Sequence, residues 1–342
     1  MPELQFQNGD VVKVIEMSFP TAKIIADSIS PDGIRLTTME LKLHRFVLAE
    51  LNTHRVFSRN SASSRAIPVS KMLERVKTDP ALPLFWGKNQ AGMGAAVELE
   101  ESKKKKAISW WLSARDEAVR DVEDLLELGL HKQLTNRLLE PWLWHTAIIS
   151  STEWNNFFGQ RLAINPETNQ PYAQPEMFHA ALAAYKAYTA STPEFKNYGE
   201  WHLPYISEED IEPAQRITYR GVDEDSKVSY WLKKISAGRC ARVSYLTHDG
   251  KRDIMEDIKL ADKLASAKPM HPSPFEHVAT PAFPIVNLSN VKEFRGVKGN
   301  FKGWNQMRHE FPQENIRNFS IDECNLCPGG LSFTGCDHSS GW

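Results

Sequence analysis

The chain has little of what marks several large classes of protein. It has four cysteines in 342 residues, three of them (Cys324, Cys327 and Cys336) close to the C-terminus, which excludes a disulfide framework. No apolar run approaches the length of a membrane span, and the opening Met-Pro-Glu-Leu-Gln lacks the basic and apolar stretches of a signal peptide. The cytoplasm is therefore the expected location, with no membrane partner. A formal net charge of -2 gives no general drive toward nucleic acid, so any anion site must be local. A phosphate loop is also missing. Gly87 to Gly94 carries its glycines and lysine in the wrong order, and no Lys-Ser or Lys-Thr follows. With 41% apolar and 25% charged residues, the composition is that of a soluble globular chain, long enough for one large or two ordinary domains.

The stretch from Thr53 to Arg65 stands out: Thr-His-Arg-Val-Phe-Ser-Arg-Asn-Ser-Ala-Ser-Ser-Arg. Arginine forks can grip a phosphate bidentately while Ser and Asn orient the rest of a ligand. Taken alone, the same run also reads as a solvated loop that caps helices. Around it, Val11–Met17 predicts a strand and Asp27–Gly33 a turn. Thr37-Thr38-Met39-Glu40 is a capping-box pattern, and Leu41, Phe46, Val47, Leu48 and Leu51 then predict a helix, carrying His44 and Arg45, that delivers the chain to Thr53. Ala95–Leu128 predicts a long helix with Trp110, Trp111, Leu112, Val119, Val122 and Leu125 inward and Gly129 as its cap; Lys103–Lys106 is its solvated face. Trp142–Phe158 predicts a buried helix, and Met177–Tyr188 another helix. Asn156 and Arg161 interrupt this apolar region, and a polar group buried there needs either a ligand or an ion pair. Gly238–Tyr245 reads as a turn into a short strand, and Asp253–Ala267 as a helix. His271-Pro272-Ser273-Pro274-Phe275-Glu276-His277 is a proline-stiffened turn whose His and Glu suit metal binding, acid–base chemistry or structure alone.

These pieces resemble the flavin-dependent thymidylate synthases. The family's signature is Arg-His-Arg, two spacers, Ser, a spacer, Asn-Glu, a spacer, Ser, a spacer, Arg. Thr53-His54-Arg55, Ser58, Asn60, Ser61, Ser63 and Arg65 stand at identical spacing, with Thr53 replacing the first arginine, Ser61 replacing the glutamate, and Glu50 where a glutamine is usual. Asn136-Arg137-Leu138-Leu139-Glu140-Pro141, Asn156 with Arg161, and Ala173-Gln174-Pro175-Glu176 are similar to further family motifs in the same order. Ala241-Arg242-Val243-Ser244 and His271-x-Ser-Pro-Phe-Glu-His are also similar to family elements, but they follow the Thr-His-Arg stretch, where the family has them before it. The order is permuted, and Phe301–His309 resembles the segment leading into Thr53, which implies partial duplication.

The resemblance implies an α/β (α+β) fold with a mixed sheet and packed long helices, and transfer of a one-carbon unit from methylenetetrahydrofolate to C5 of dUMP, giving dTMP. FAD would be the cofactor, and NADPH and the folate the co-substrates. Ser63, Arg65 and Arg161 would stand at the reacting nucleotide, with Glu50, Arg137 and Arg308 also on the substrate side. Arg308 would replace the arginine lost at Thr53. His54, Arg55, Ser58, Asn60, Asn156, Ser244, His271, Ser273 and Glu276 would hold the flavin. The alternatives are a deoxypyrimidine monophosphate hydroxymethylase and a non-catalytic nucleotide-binding protein. A competing mechanism would use Cys240 as a nucleophile with its pKa lowered by the flanking arginines. The expected organisation is an N-terminal part over 1–200, a linker or excursion over 201–230, a C-terminal part over 231–320 and a tail over 321–342, interwoven in one catalytic unit. A homo-oligomer, tetramer or dimer, is expected, without nucleic acid. In the tail, Cys324, Cys327, Cys336 and His338 are candidate zinc ligands.

Overall fold

The computed structural model describes residues 3–8, 11–16, 18–217, 224–247, 253–286, 292–293 and 299–316. The β-branched residues of the first expected strand pair with the segment before it: β1 (Glu3–Asn8) and β2 (Val11–Glu16) form an antiparallel hairpin. β3 (Thr21–Ile29) and β4 (Arg35–His44) form a second hairpin. Gly33 closes the turn between them at φ +75°, a conformation that favours glycine.

β4 corrects the expected helix over residues 37–51. Met39, Leu41 and Leu43 alternate into the main core, while Thr38 and Glu40 look to the other face, toward His202 and Tyr205. A period of two, with two adjacent β-branched threonines, prevails over the capping-box pattern. Helix remains only as α1 (Leu48–Asn52), directly before Thr53. The polar motif itself becomes β5 (Ser58–Ser61), and α2 (Val69–Thr78) follows.

The long helix is α3 (Glu101–Glu127), starting later than expected. Gly129 ends it at φ +79°, but Trp110 is exposed, with the Lys106 ammonium 4.9 Å over its ring. After α4 (Lys132–Thr135) comes β6 (Trp144–Ser151), which corrects the buried helix expected over 142–158. Ala147 and Ile149 join the core of β4, and Ile148 packs on Cys240 and Val243 behind the sheet. A strand covered on both faces reads as a continuous apolar run, which periodicity alone does not distinguish from a helix. The helical part is only α5 (Asn155–Leu162), which holds both Asn156 and Arg161. α6 (Pro175–Ala190) lays Met177, Ala180, Ala181 and Ala184 on the same core. β7 (Glu194–Phe195) runs parallel to β3 and completes a mixed sheet of order β5-β6-β4-β3-β7.

The excursion expected over 201–230 carries α7 (Ile211–Arg216) and the fully buried His202. α8 (Glu224–Arg242) corrects the turn and strand expected at 238–245, and α9 (Ile254–Ser266) is the expected helix, capped by Asp253. The two touch at Gly238, where a Cβ would lie 2.2 Å from the Asp257 carbonyl oxygen. Gly238→Ala must therefore push α8 and α9 apart; a loss of about 1–3 kcal/mol is expected, read as a lower urea midpoint, and an unchanged midpoint would contradict the close approach. β8 (Ala279–Pro281) follows, then β9 (Ile285–Val286) paired with β10 (Lys292–Glu293), and β11 (Trp304–Gln306) returns to pair with β8.

β11 runs into a 3₁₀ turn, Met307–Glu310, as β4 runs into Arg45–Val47. The two strands belong to different sheets, so the likeness of Phe301–His309 to the segment before Thr53 goes no further than this local succession. The candidate zinc ligands Cys324, Cys327, Cys336 and His338 lie outside the described residues. No helix among the described residues is long and apolar enough to cross a membrane.

Candidate functional site

α1 ends at Asn52 and hands the motif to the sheet edge, so its first half faces a cleft and its second half is a strand. The cleft has a volume of about 630 Å³. Thr53, His54 and Arg55 line it from one side, Trp154, Asn156 and Phe157 from the start of α5, and Arg35, Tyr188 and Lys302 from elsewhere. Against Thr53 and His54, the Arg161 guanidinium binds four acceptors. Nε donates to His54 Nε2 at 3.0 Å, Nη1 to Glu50 Oε2 at 3.3 Å, and Nη2 to the Glu50 carbonyl and to Thr53 Oγ1, both at 3.0 Å. The Thr53 hydroxyl itself donates a hydrogen bond to the Glu50 carbonyl at 2.7 Å.

Burial, with Arg161 and Arg59 beside it, lowers His54 to a pKa of about 4, so the ring is neutral. Because an arginine can only donate, His54 Nε2 is the acceptor and the proton sits on Nδ1. Burial raises Glu50 above the usual carboxylate range against the pull of Arg161. His54 meets Phe157 edge-on, with centroids 4.9 Å apart. Arg55 is exposed and forms no ion pair among the described residues.

The second half of the motif is where the two ends of the chain meet. Asn60 is buried on β5; its Nδ2 donates to the Cys240 carbonyl at 2.7 Å, and its Oδ1 accepts from Ser244 Oγ at 3.2 Å and Ser273 Oγ at 3.4 Å. Ser58 Oγ accepts from Gln306 Nε2 at 2.9 Å, which also donates to the Glu276 carbonyl at 2.9 Å. The Ser63 amide donates to the Ser244 carbonyl at 3.0 Å. Thus Asn60, Ser63, Ser244 and Ser273 are joined in one hydrogen-bonded group, and Ser58 is joined through Gln306 to the backbone of Glu276 in another.

Other expected residues fall elsewhere. Arg137 donates to Glu140 at 2.7 Å, and the same oxygen takes Arg45 at 3.2 Å and Ser64 at 3.1 Å. Arg65 is exposed, with no ion pair among the described residues. His271 is exposed, and its amide bonds to the Leu264 carbonyl. Arg308 is tied to Glu276 at 2.6 Å and Glu314 at 2.9 Å, while the donor at Thr53 is Arg161; this corrects the expectation that Arg308 fills that place. Cys240 is fully buried on α8 and burial pushes its thiol up, the reverse of the lowering expected from flanking arginines. Residues missed in the sequence include Tyr188, whose ring carries the Arg35 guanidinium at 3.9 Å, and Arg59, which stands at a spacer of the motif. Only the alternation of β5 hinted that Arg59 faces away from Ser58 and Asn60.

These features define a mixed α/β protein with a polar cleft, walled by arginine and aromatic side chains, where β4 begins and β6 ends in its central sheet. No family model and no curated protein matches the sequence. Among solved structures, the chain is similar to the UMP/dUMP methylase PolB from Streptomyces cacaoi bound with 5-Br UMP, at 14% identity and a TM-score of 0.40, over 51% of this chain and 91% of that one. It is also similar to thymidylate synthase X from Helicobacter pylori with FAD and dUMP, at 19% identity and a TM-score of 0.30, over 45% and 67%.

Proposed function

We propose that the protein transfers a one-carbon unit from methylenetetrahydrofolate to C5 of a deoxypyrimidine monophosphate, converting dUMP to dTMP, with FAD as cofactor and NADPH as reductant. The observation that supports this most is the meeting at Asn60 of Ser244 and Ser273, which come from motifs far along the chain. This meeting supports the reading in which motifs in permuted order come together in space. The cleft suits a flavin nucleotide. Its volume is within the range of small-molecule sites, and it offers the neutral His54 with a fixed tautomer, the exposed Arg55 and an aromatic wall.

When bound, the flavin would supply the hydride. The chain's part is positional and electrostatic. Arg161 fixes His54 and Thr53, Arg55 answers negative charge, and outside the cleft the exposed Arg65 and the Glu140-paired Arg137 are the cations proposed for a nucleotide phosphate. No protein nucleophile is required, and Cys240 is too deeply buried to be one. Thr53 and Ser61 support one second reading. Without the family's arginine and glutamate the pyrimidine pocket has a different hydrogen-bond pattern, which favours hydroxymethylation of a deoxypyrimidine monophosphate.

The purified protein should be yellow or should take up added FAD. Turnover of dUMP and dCMP with the folate and NADPH, followed by product mass, then separates methyl from hydroxymethyl transfer. A colourless protein that refuses FAD and yields no product would leave nucleotide binding alone.

A further inference from the structure

Arg59 is an exception among the arginines. Every other buried or half-buried arginine of the described residues carries a carboxylate: Arg35 with Asp27, Arg45 with Glu140, Arg115 with Asp116, Arg161 with Glu50, Arg239 and Arg242 with Asp257, and Arg308 with Glu276. Arg59 is half-buried too, yet it forms no ion pair among them. Its Nη1 donates to the Leu51 and His54 carbonyls at 3.2 and 3.1 Å, which leaves Nε and Nη2 without a protein acceptor among the described residues. Glu276 is near enough to act on its charge, but that carboxylate is already held by Arg308. Burial accordingly lowers the Arg59 pKa from the usual arginine range. A partly desolvated cation with no carboxylate of its own in hydrogen-bond reach is costly, and a fork whose Nε and Nη2 have no acceptor among the described residues is shaped for a phosphate or carboxylate.

We propose that Arg59 is a phosphate-binding residue, anchored by Nη1 to the carbonyls at the end of α1 and presenting Nε and Nη2 to the phosphate of a nucleotide. That the anion is a nucleotide phosphate rests on the function proposed above; that the guanidinium is an anion site rests on its geometry alone. The phosphate belongs either to the flavin nucleotide or to the pyrimidine nucleotide.

The test is calorimetric titration of the full chain and of Arg59→Gln with inorganic pyrophosphate, with FAD against riboflavin, and with dUMP against deoxyuridine. Arg59→Gln should weaken pyrophosphate and the phosphorylated member of one pair by roughly ten- to hundred-fold and leave riboflavin and deoxyuridine unchanged. The pair that responds names the source. Arg59→Lys keeps the charge without the fork and should recover only part of the affinity, and it carries the test if the glutamine variant does not fold. Equal pyrophosphate affinity in all three proteins, no pyrophosphate binding to the native chain, or equal weakening of phosphorylated and neutral ligands would overturn the assignment. Arg59-dependent pyrophosphate binding in a chain that takes neither FAD nor dUMP would sink the proposed function and leave this inference standing.

Discussion

Replacing Asp257 by alanine is expected to cost about 3–5 kcal/mol of stability, the usual penalty for leaving a buried charge without its partner. Asp257 is fully buried. One oxygen accepts from Arg239 Nε at 2.9 Å and the other from Arg242 Nε at 2.6 Å. Arg239 keeps Asp210, which it grips through Nη1 and Nη2 at 2.7 Å each, and the Tyr205 carbonyl at 2.7 Å. Among the described residues Arg242 keeps only the Glu256 carboxylate, at 3.8 Å, so the uncompensated charge falls mainly there. The loss should also reach the cleft, because the same stretch supplies the Cys240 carbonyl and Ser244 hydroxyl that hold Asn60. Urea unfolding measures the first effect. The exposed pair of Arg216 and Glu212 provides the contrast, since Glu212→Ala should leave the midpoint where it was. Equal midpoints for Asp257→Ala and Glu212→Ala would show that the cluster adds nothing to stability.

Arg242 also shows where reading the sequence stops short. The stretch Ala241–Ser244 is recognisable as a motif, and Ser244 does join Asn60, but the arginine beside it is spent on Asp257. α8 itself was not visible, because Ser236, Arg239 and Cys240 all lie on its buried side and leave no clean apolar stripe. α3, α6 and α9 were legible because each has one wet face and so keeps a 3.6-residue rhythm. β6 has no rhythm of its own because both its faces are buried, and in β4 the capping-box pattern at Thr37–Glu40 masks an alternation that is there. The motif residues on β5 could be named from spacing. What Arg161 does with them could not, since its bonds to His54, Glu50 and Thr53 join positions more than a hundred residues apart. Arg59 passed as a spacer because only its lack of a carboxylate distinguishes it, and a missing partner is a property of the fold.

Acidification should destabilise the protein well before its carboxylates titrate. Burial lowers His145, His202 and His277 from 6.5 to about 3 each, with Arg45 adding to the effect on His145. The latter two lie in one buried chain: Ser28 to His202 Nδ1 at 2.8 Å, His202 Nε2 to Thr38 at 2.7 Å, Thr38 to Ser150, and Ser150 to His277 Nδ1 at 2.8 Å. Each link needs one hydrogen, and neutral rings with hydroxyls can satisfy them all in a single direction. The hydroxyls can turn to accept from a doubly protonated ring, so the cost of a second proton is the charge it buries without a counter-charge in this hydrogen-bonded chain. Between pH 6.5 and about 3 the unfolded chain therefore binds protons that the folded chain refuses. The stability from these rings is complete above 6.5 and lost as pH falls toward 3. Each fully titrating ring contributes about 1.4 kcal/mol per pH unit, and the three together make a slope of about 4 kcal/mol per unit, steep beside a total of about 5–15 kcal/mol. Asp79, Asp210 and Glu314, whose pKa values are lowered, add a loss of the same sign at lower pH. Urea midpoints measured from pH 7 to 4.5 should fall steeply, and His277→Gln should flatten the slope by about one ring's share, 1.4 kcal/mol per unit. The assignment of buried neutral histidines fails if the native midpoint is flat across that window, or if the glutamine variant follows the native slope.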